Sequence, residues 1–227
     1  MTLSVSGRFI TFEGGEGAGK STQIARLLSR LEQEGVEAIA TREPGGSPKA
    51  ERIRESVLAG AAQALGPFAE AILFSAARID HLRETIRPAL ARGAFVLCDR
   101  FADSTRAYQG ALGKIDPGVM RALERATIGG TRPDLTFILD VPAEIGLARA
   151  AERRRGAGTG ADRFEGEGRP FHERLREAFL AIARDEPGRC VVVDAAREPD
   201  PIAADIWHSV ADRLLARAAT ETTASNG

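Results

Sequence analysis

The feature that most constrains this chain is Gly14-Gly15-Glu16-Gly17-Ala18-Gly19-Lys20-Ser21, followed by Thr22, which fits the spacing G-x-x-x-x-G-K-[ST]. Before it, Arg8-Phe9-Ile10-Thr11-Phe12 is short, β-branched and aromatic; after it, Ile24, Leu27, Leu28 and Leu31 recur at helical spacing until Gly35. A buried strand that runs through a glycine-rich turn into a helix is the context that gives the spacing its meaning. The glycines let successive backbone amides face inward, and the helix N-terminus adds unpaired donors and the positive end of its dipole. Such a cradle, Gly14 through Thr22, is built for the polyphosphate of a nucleoside triphosphate, with Lys20 reaching the β and γ phosphates and the Ser21 hydroxyl ligating Mg²⁺.

Strands and helices alternate along the rest of the chain. Val36 to Ala40, Ala94 to Cys98, Leu135 to Leu139 and Cys190 to Val193 read as four further strands. Helical patterns cover Ala50 to Ala59, Phe68 to Ala91 in two or three pieces, Val119 to Ala126, Ala143 to Arg155, Pro170 to Arg184 and Pro201 to Ala216. The expected fold is α/β: a P-loop NTPase three-layer sandwich, with a five-stranded parallel sheet, helices on both faces and ligands at the carboxyl ends of the strands. One domain is expected over residues 1–219. Within it a mobile lid spans about 153–170, around the small-residue run Gly156 to Ala161, and residues 220–227 have the composition of a disordered tail.

Net charge is −1, so the whole-chain field attracts neither a nucleic acid nor an anionic membrane surface. Cys98 and Cys190 offer no disulfide framework and no zinc spacing, and both read as reduced core thiols. The first residues lack a basic stretch followed by an apolar one, and no segment approaches the roughly 20 apolar residues that span a bilayer. A cytoplasmic location is expected.

Several protein classes share the phosphate loop. A GTPase switch needs an Asn-Lys-x-Asp guanine reader, and the sole asparagine is Asn226. An ATPase motor would be larger, whereas a kinase of this length must supply its own charge stabilisation and an acceptor site. Asp99-Arg100 closes the third apolar strand, the position at which an acid meets a nucleotide-bound metal or its waters. Phe74 and Arg78 lie four apart on one helix face, so an aromatic plate and a guanidinium can point into one cleft.

Four motifs occur together: Arg42-Glu43-Pro44-Gly45-Gly46-Ser47; Leu73-Phe74-Ser75-Ala76-Ala77-Arg78; Asp99-Arg100 with Ser104-Thr105-Arg106-Ala107-Tyr108-Gln109-Gly110; and Asp162-Arg163-Phe164-Glu165. In this order the chain resembles the thymidylate kinase family, from about Phe9 to Val193. The resemblance implies transfer of the ATP γ-phosphate to dTMP, giving dTDP and ADP, with ATP as co-substrate, Mg²⁺ as the metal and a homodimeric assembly. It places Glu16, Glu43, Pro44, Arg54, Phe74, Arg78, Arg100, Thr105, Tyr108 and Gln109 around dTMP. Arg54 would hold the acceptor phosphate, Phe74 stack on thymine, Thr105 and Gln109 read the pyrimidine edge, and Tyr108 crowd the sugar 2′ position. Lys20, Asp99, Arg100, Arg153 and Arg154 would be catalytic, with Ser21 and Asp99 at the metal.

The family clamps the transferred charge with an arginine in the phosphate loop or with arginines in the lid. Here the loop carries Glu16, Gly17 and Ala18, whereas Arg153, Arg154 and Arg155 precede the small-residue run and Arg163 follows it, so the resemblance implies the lid form. Glu16 stands where many relatives have aspartate, and Phe101 where tyrosine or histidine is common. A nucleoside monophosphate is already anionic at neutral pH, because its second pKa is near 6, so no general base is required and His81, His172 and His208 are assigned no catalytic role. The resemblance places adenine near Ala195 to Arg197, in the loop after the fifth strand. Two other readings remain open on the sequence: a P-loop kinase for dUMP or dCMP, and a non-catalytic nucleotide sensor.

Overall fold

The computed structural model describes residues 7–157, 164 and 166–216. Five strands form one parallel sheet: β1 (Phe9–Glu13), β2 (Ala38–Arg42), β3 (Phe95–Asp99), β4 (Leu135–Asp140) and β5 (Cys190–Asp194), in the order β2-β3-β1-β4-β5. The strand before the phosphate loop is therefore central. Its five residues are all buried, and they alternate between two cores, as a two-residue side-chain period requires. Ile10 and Phe12 pack with Phe137, Leu97 and the helices α1 (Lys20–Gln33) and α9 (Pro199–Val210). Phe9 packs on the other face with Val96, Cys98 and Phe101.

The second face is covered by a π-helical turn over Leu82–Ile86, which continues α3 (Pro67–His81), by α4 (Arg87–Ala91) and by the end of α6 (Pro117–Ile128). The helix α2 (Pro48–Leu58) packs on α3, and α8 (Arg169–Asp185) lies beside β4 and β5 after α7 (Ala143–Ala157). This is the α/β three-layer arrangement. Asp162, Arg163, Glu165 and the tail 220–227 lie outside the described residues, as does most of the small-residue run in the expected lid.

The strand boundaries fall within two residues of those expected, and the Phe68 to Ala91 pattern divides into three pieces. Besides a short 3-10 turn at Gln63–Leu65, one stretch has no counterpart in the sequence reading: after β3 the chain forms α5 (Ala102–Thr105) and then a π-helical segment, Arg106–Leu112. Wide helical turns of this kind recur at functional sites.

Register brings the site together. Phe12 pairs with Asp99 and Arg42 pairs with Asp99 on the other side, so β1, β3 and β2 end at one level. The phosphate loop, Asp99-Arg100 and the Glu43-Pro44-Gly45-Gly46 turn emerge from that common edge.

Candidate active site

The phosphate loop is held open by its glycines. Gly14 (φ 137°), Gly17 (φ 66°) and Gly19 (φ 85°) occupy conformations that disfavour a side chain. At Gly17 a Cβ would also lie 2.0 Å from the carbonyl oxygen of Gly146, so the loop rests directly on the first turn of α7. The helix that follows begins at Lys20 behind left-handed Gly19, and no side chain caps it. Its first amides are thus free to bind an anion. Lys20 is buried and its ammonium donates to the carbonyls of Gly15 (3.2 Å) and Gly14 (3.4 Å). Burial and the neighbouring Arg100 push its pKa down, so this is a cation that gains from an incoming polyphosphate.

At the mouth of β3 the Ser21 hydroxyl donates to Asp99 Oδ2 at 2.8 Å. The two oxygens assigned to Mg²⁺ are therefore adjacent. Among the described residues no group of three or more His, Cys, Asp or Glu could cage a metal. One hydroxyl and one carboxylate fit Mg²⁺, which retains waters and takes its remaining ligands from nucleotide phosphates.

Arg100 follows in a left-handed conformation (φ 68°) that is rare for a residue with a Cβ and recurs at active sites. Its guanidinium donates to Gly14 O at 3.1 Å, Ser104 Oγ at 3.3 Å and Glu16 Oε1 at 2.8 Å, and lies over the Tyr108 ring. Tyr108 donates to the same Glu16 oxygen at 3.2 Å, and burial raises its own pKa, which keeps the phenol a donor. Burial pushes the Glu16 carboxyl up, but Arg100 and Lys20 outweigh it and hold the group at about 2. One carboxylate thus spaces a lysine, an arginine and a tyrosine around the loop.

The opposite wall comes from β2, α2 and α3. Arg78 is 4% exposed; it donates to Glu43 Oε2 at 2.7 Å, Phe101 O at 3.1 Å and Thr105 Oγ1 at 3.0 Å. The other Glu43 oxygen lies 3.1 Å from His81 Nδ1, and His81 Nε2 lies 2.7 Å from Thr41 Oγ1. Arg54 donates to Pro44 O at 2.8 Å, and buried Gln109 donates to Glu70 Oε2 at 3.3 Å.

These walls enclose a cavity of about 410 Å³, large enough for a nucleotide portion. Of the residues assigned from the sequence, Glu16 through Thr22, Glu43, Pro44, Arg54, Phe74, Arg78, Asp99, Arg100, Thr105, Tyr108, Gln109 and Arg153 line it. Gly14 and Gly15 do not, and Arg154 does not although its neighbour does. The expected adenine loop lies beyond β5, where Arg149 donates to Ala195 O at 2.8 Å and to Ala196 O at 3.1 Å.

With this geometry in view, similarity decides the family. The thymidylate kinase family model matches residues 12–206. The chain belongs to the thymidylate kinase family. It is 60% identical over 209 residues to the thymidylate kinase of Bradyrhizobium diazoefficiens, covering 92% of this chain and 91% of that one. It is 59% identical over 222 residues to that of Nitrobacter winogradskyi, covering 97% and 95%. The crystal structure of thymidylate kinase from Ehrlichia chaffeensis superposes with a TM-score of 0.71 at 33% identity, over 90% of this chain and 99% of that one.

Sequence reasoning missed three residues of this family site. His81, assigned no role, closes the buried chain behind Arg78; its place three residues along the same helix was the available signal. Glu13 was passed over because it stays buried behind the cavity, whereas Ser104, quoted within a motif but given no role, lines it. An ionisable residue ending an otherwise apolar, buried strand was the signal for Glu13.

Proposed function

We propose that the chain transfers the γ-phosphoryl group of ATP to dTMP, yielding ADP and dTDP. The observation that carries this reading is the position of Arg100, bonded to the phosphate loop at Gly14 O and Glu16 while lining the same cavity as Phe74 and Arg78. A guanidinium between donor and acceptor pockets can neutralise the acceptor phosphate and the charge that develops in transfer. The acceptor oxygen is already anionic, so no residue need remove a proton; Lys20 and Arg100 act by charge and by alignment. Arg153 lines the cavity from the expected lid side and is the lid cation best placed to join them.

Ser21 and Asp99 would hold Mg²⁺, which when bound supplies positive charge across the β and γ phosphates. Phe74 would stack on the base and Arg78, with Thr105 and Gln109, would read its polar edge. Tyr108, fixed by Glu16, would occupy the space beside the sugar. Arg54 would take the acceptor phosphate. Cytoplasmic work on two soluble nucleotides suits the low net charge, and among the described residues no helix is long and apolar enough to cross a membrane. A homodimer is supported by an apolar ridge, in which Leu65 precedes α3 and Phe68, Ile72 and Ile79 lie along it, all exposed, with Val119 on neighbouring α6.

An ADP-release assay with dTMP, dUMP, dCMP, GMP and AMP tests the reading. It predicts the highest kcat/KM on dTMP. Highest turnover on another monophosphate contradicts the acceptor assignment, and ATP binding without acceptor-dependent ADP indicates a sensor.

A further inference from the structure

We infer that Glu13 is a positioning residue for phosphoryl transfer: from outside the cavity its carboxylate fixes the turn and the Ser104 hydroxyl that together aim Arg100. The inference rests on the transfer reading above.

Glu13 ends β1 fully buried, where an unpartnered carboxylate would be strongly disfavoured. Its three hydrogen bonds all come from the segment that follows β3. Oε1 accepts the Phe101 amide at 2.7 Å and the Ser104 amide at 3.3 Å, and Oε2 accepts the Ser104 hydroxyl at 2.6 Å. That same hydroxyl accepts from Arg100 Nη1 at 3.3 Å. The chain of contacts therefore runs from the Glu13 carboxylate through Ser104 to the guanidinium. On the backbone side, Phe12 O accepts the Arg100 amide at 2.9 Å. The last two residues before the phosphate loop thus grip both peptide units that flank left-handed Arg100, and the loop and its arginine are tied into one body.

Burial and the Asp103 carboxylate on α5 raise the Glu13 pKa to about 7, while Ser104, Arg100 and the Phe101 amide act in the opposite direction. Lys20 on α1, Cys98 on β3 and Tyr108 beyond α5 also feel its charge. Asp103 itself is clamped by Arg106 and Arg189. Protonation of Glu13 puts a hydrogen on one of the acceptors that hold the turn. The aim of Arg100 then loosens as pH falls through neutrality.

The experiment compares wild type with Glu13→Gln, nearly isosteric, and Ser104→Ala, which removes the hydroxyl bonded to both the Glu13 carboxylate and the guanidinium but leaves the carboxylate's hold on the Phe101 amide. Glu13→Gln is expected to lower kcat on the order of 10²-fold, the effect of a small misplacement. KM for dTMP and ATP affinity are expected to stay within about threefold. Ser104→Ala is expected to shift kcat the same way by less. The wild-type kcat profile should fall below pH of about 7 in addition to the acceptor limb near 6, and Glu13→Gln should lose only the upper limb. Near-normal kcat with an unchanged profile, or parallel losses of kcat and ATP affinity in both variants, overturns the inference. If wild type makes no dTDP, the functional reading falls; a crystal structure of Glu13→Gln still decides the positioning link, which is upheld if Arg100 leaves its left-handed conformation and lost if it stays.

Discussion

The two ends of the cavity are held together in opposite ways. At the acceptor end Glu43, Arg78, His81 and Thr105 are buried and bonded chiefly to one another. At the donor end the amides of an uncapped helix face the cavity, and Lys20 folds back onto the carbonyls of its own loop. The acceptor wall is preorganised by contacts within the protein, whereas on the proposed function the donor cradle would exchange weak internal contacts for a polyphosphate. This division suits the chemistry. A nucleotide base must be told from its near relatives by fixed polar groups, and phosphate needs only amides and charge.

The largest expected effect lies at the donor end. Lys20→Ala should cut kcat by about 10³-fold, as removal of a preorganised charge donor does, while leaving the unfolding free energy within about 0.5 kcal/mol of wild type. A large stability loss would mean that the donor end is as internally bonded as the acceptor end. Next comes Glu43→Ala, which strands buried Arg78 and His81. It should destabilise the fold by about 3 kcal/mol in urea unfolding and raise KM for dTMP, and a variant of unchanged stability would dissolve the contrast.

Phe74→Ala should weaken dTMP binding by about 1–3 kcal/mol with ATP affinity unchanged, read by titration with each nucleotide. Equal weakening of both would place Phe74 outside the acceptor pocket. The smallest effect concerns Glu16. Its folded pKa is lowered from 4.5 to about 2, so its contribution to stability is present above pH 4.5 and is lost as pH falls toward 2. Glu16→Gln should flatten that part of the stability profile, as followed by circular dichroism; an unaltered acid limb would show that Arg100 and Lys20 do not depend on this carboxylate.

Most of the fold could be read from the chain because each strand is a short apolar run next to a glycine or charged turn, and the helices α1, α6 and α8 each have a clear apolar face. The donor loop was legible for the same reason that it works, since its spacing is dictated by backbone geometry. The segment 102–112 was not. It follows Phe101, whose side chain cannot cap a helix, contains Gly110, and owes its shape to Glu13, Arg78 and Arg189, residues distant in sequence. The contact at Gly146 was hidden similarly, since a close backbone approach leaves no local pattern. Glu13 and His81 left only a weak position signal, whereas Phe74 and Arg78 reveal themselves by their shared helix face.

The central claim is that Arg100 stands in one cavity between the polyphosphate of the donor and the acceptor nucleotide. The most direct measurement is a crystal structure with a non-hydrolysable ATP analogue and dTMP. The account predicts polyphosphate oxygens on the amides of residues 15–20, Lys20 turned from its loop carbonyls to the phosphates, and the base against Phe74 and Arg78 with Arg100 at the acceptor phosphate. A base bound elsewhere, or Arg100 touching neither nucleotide, would contradict it.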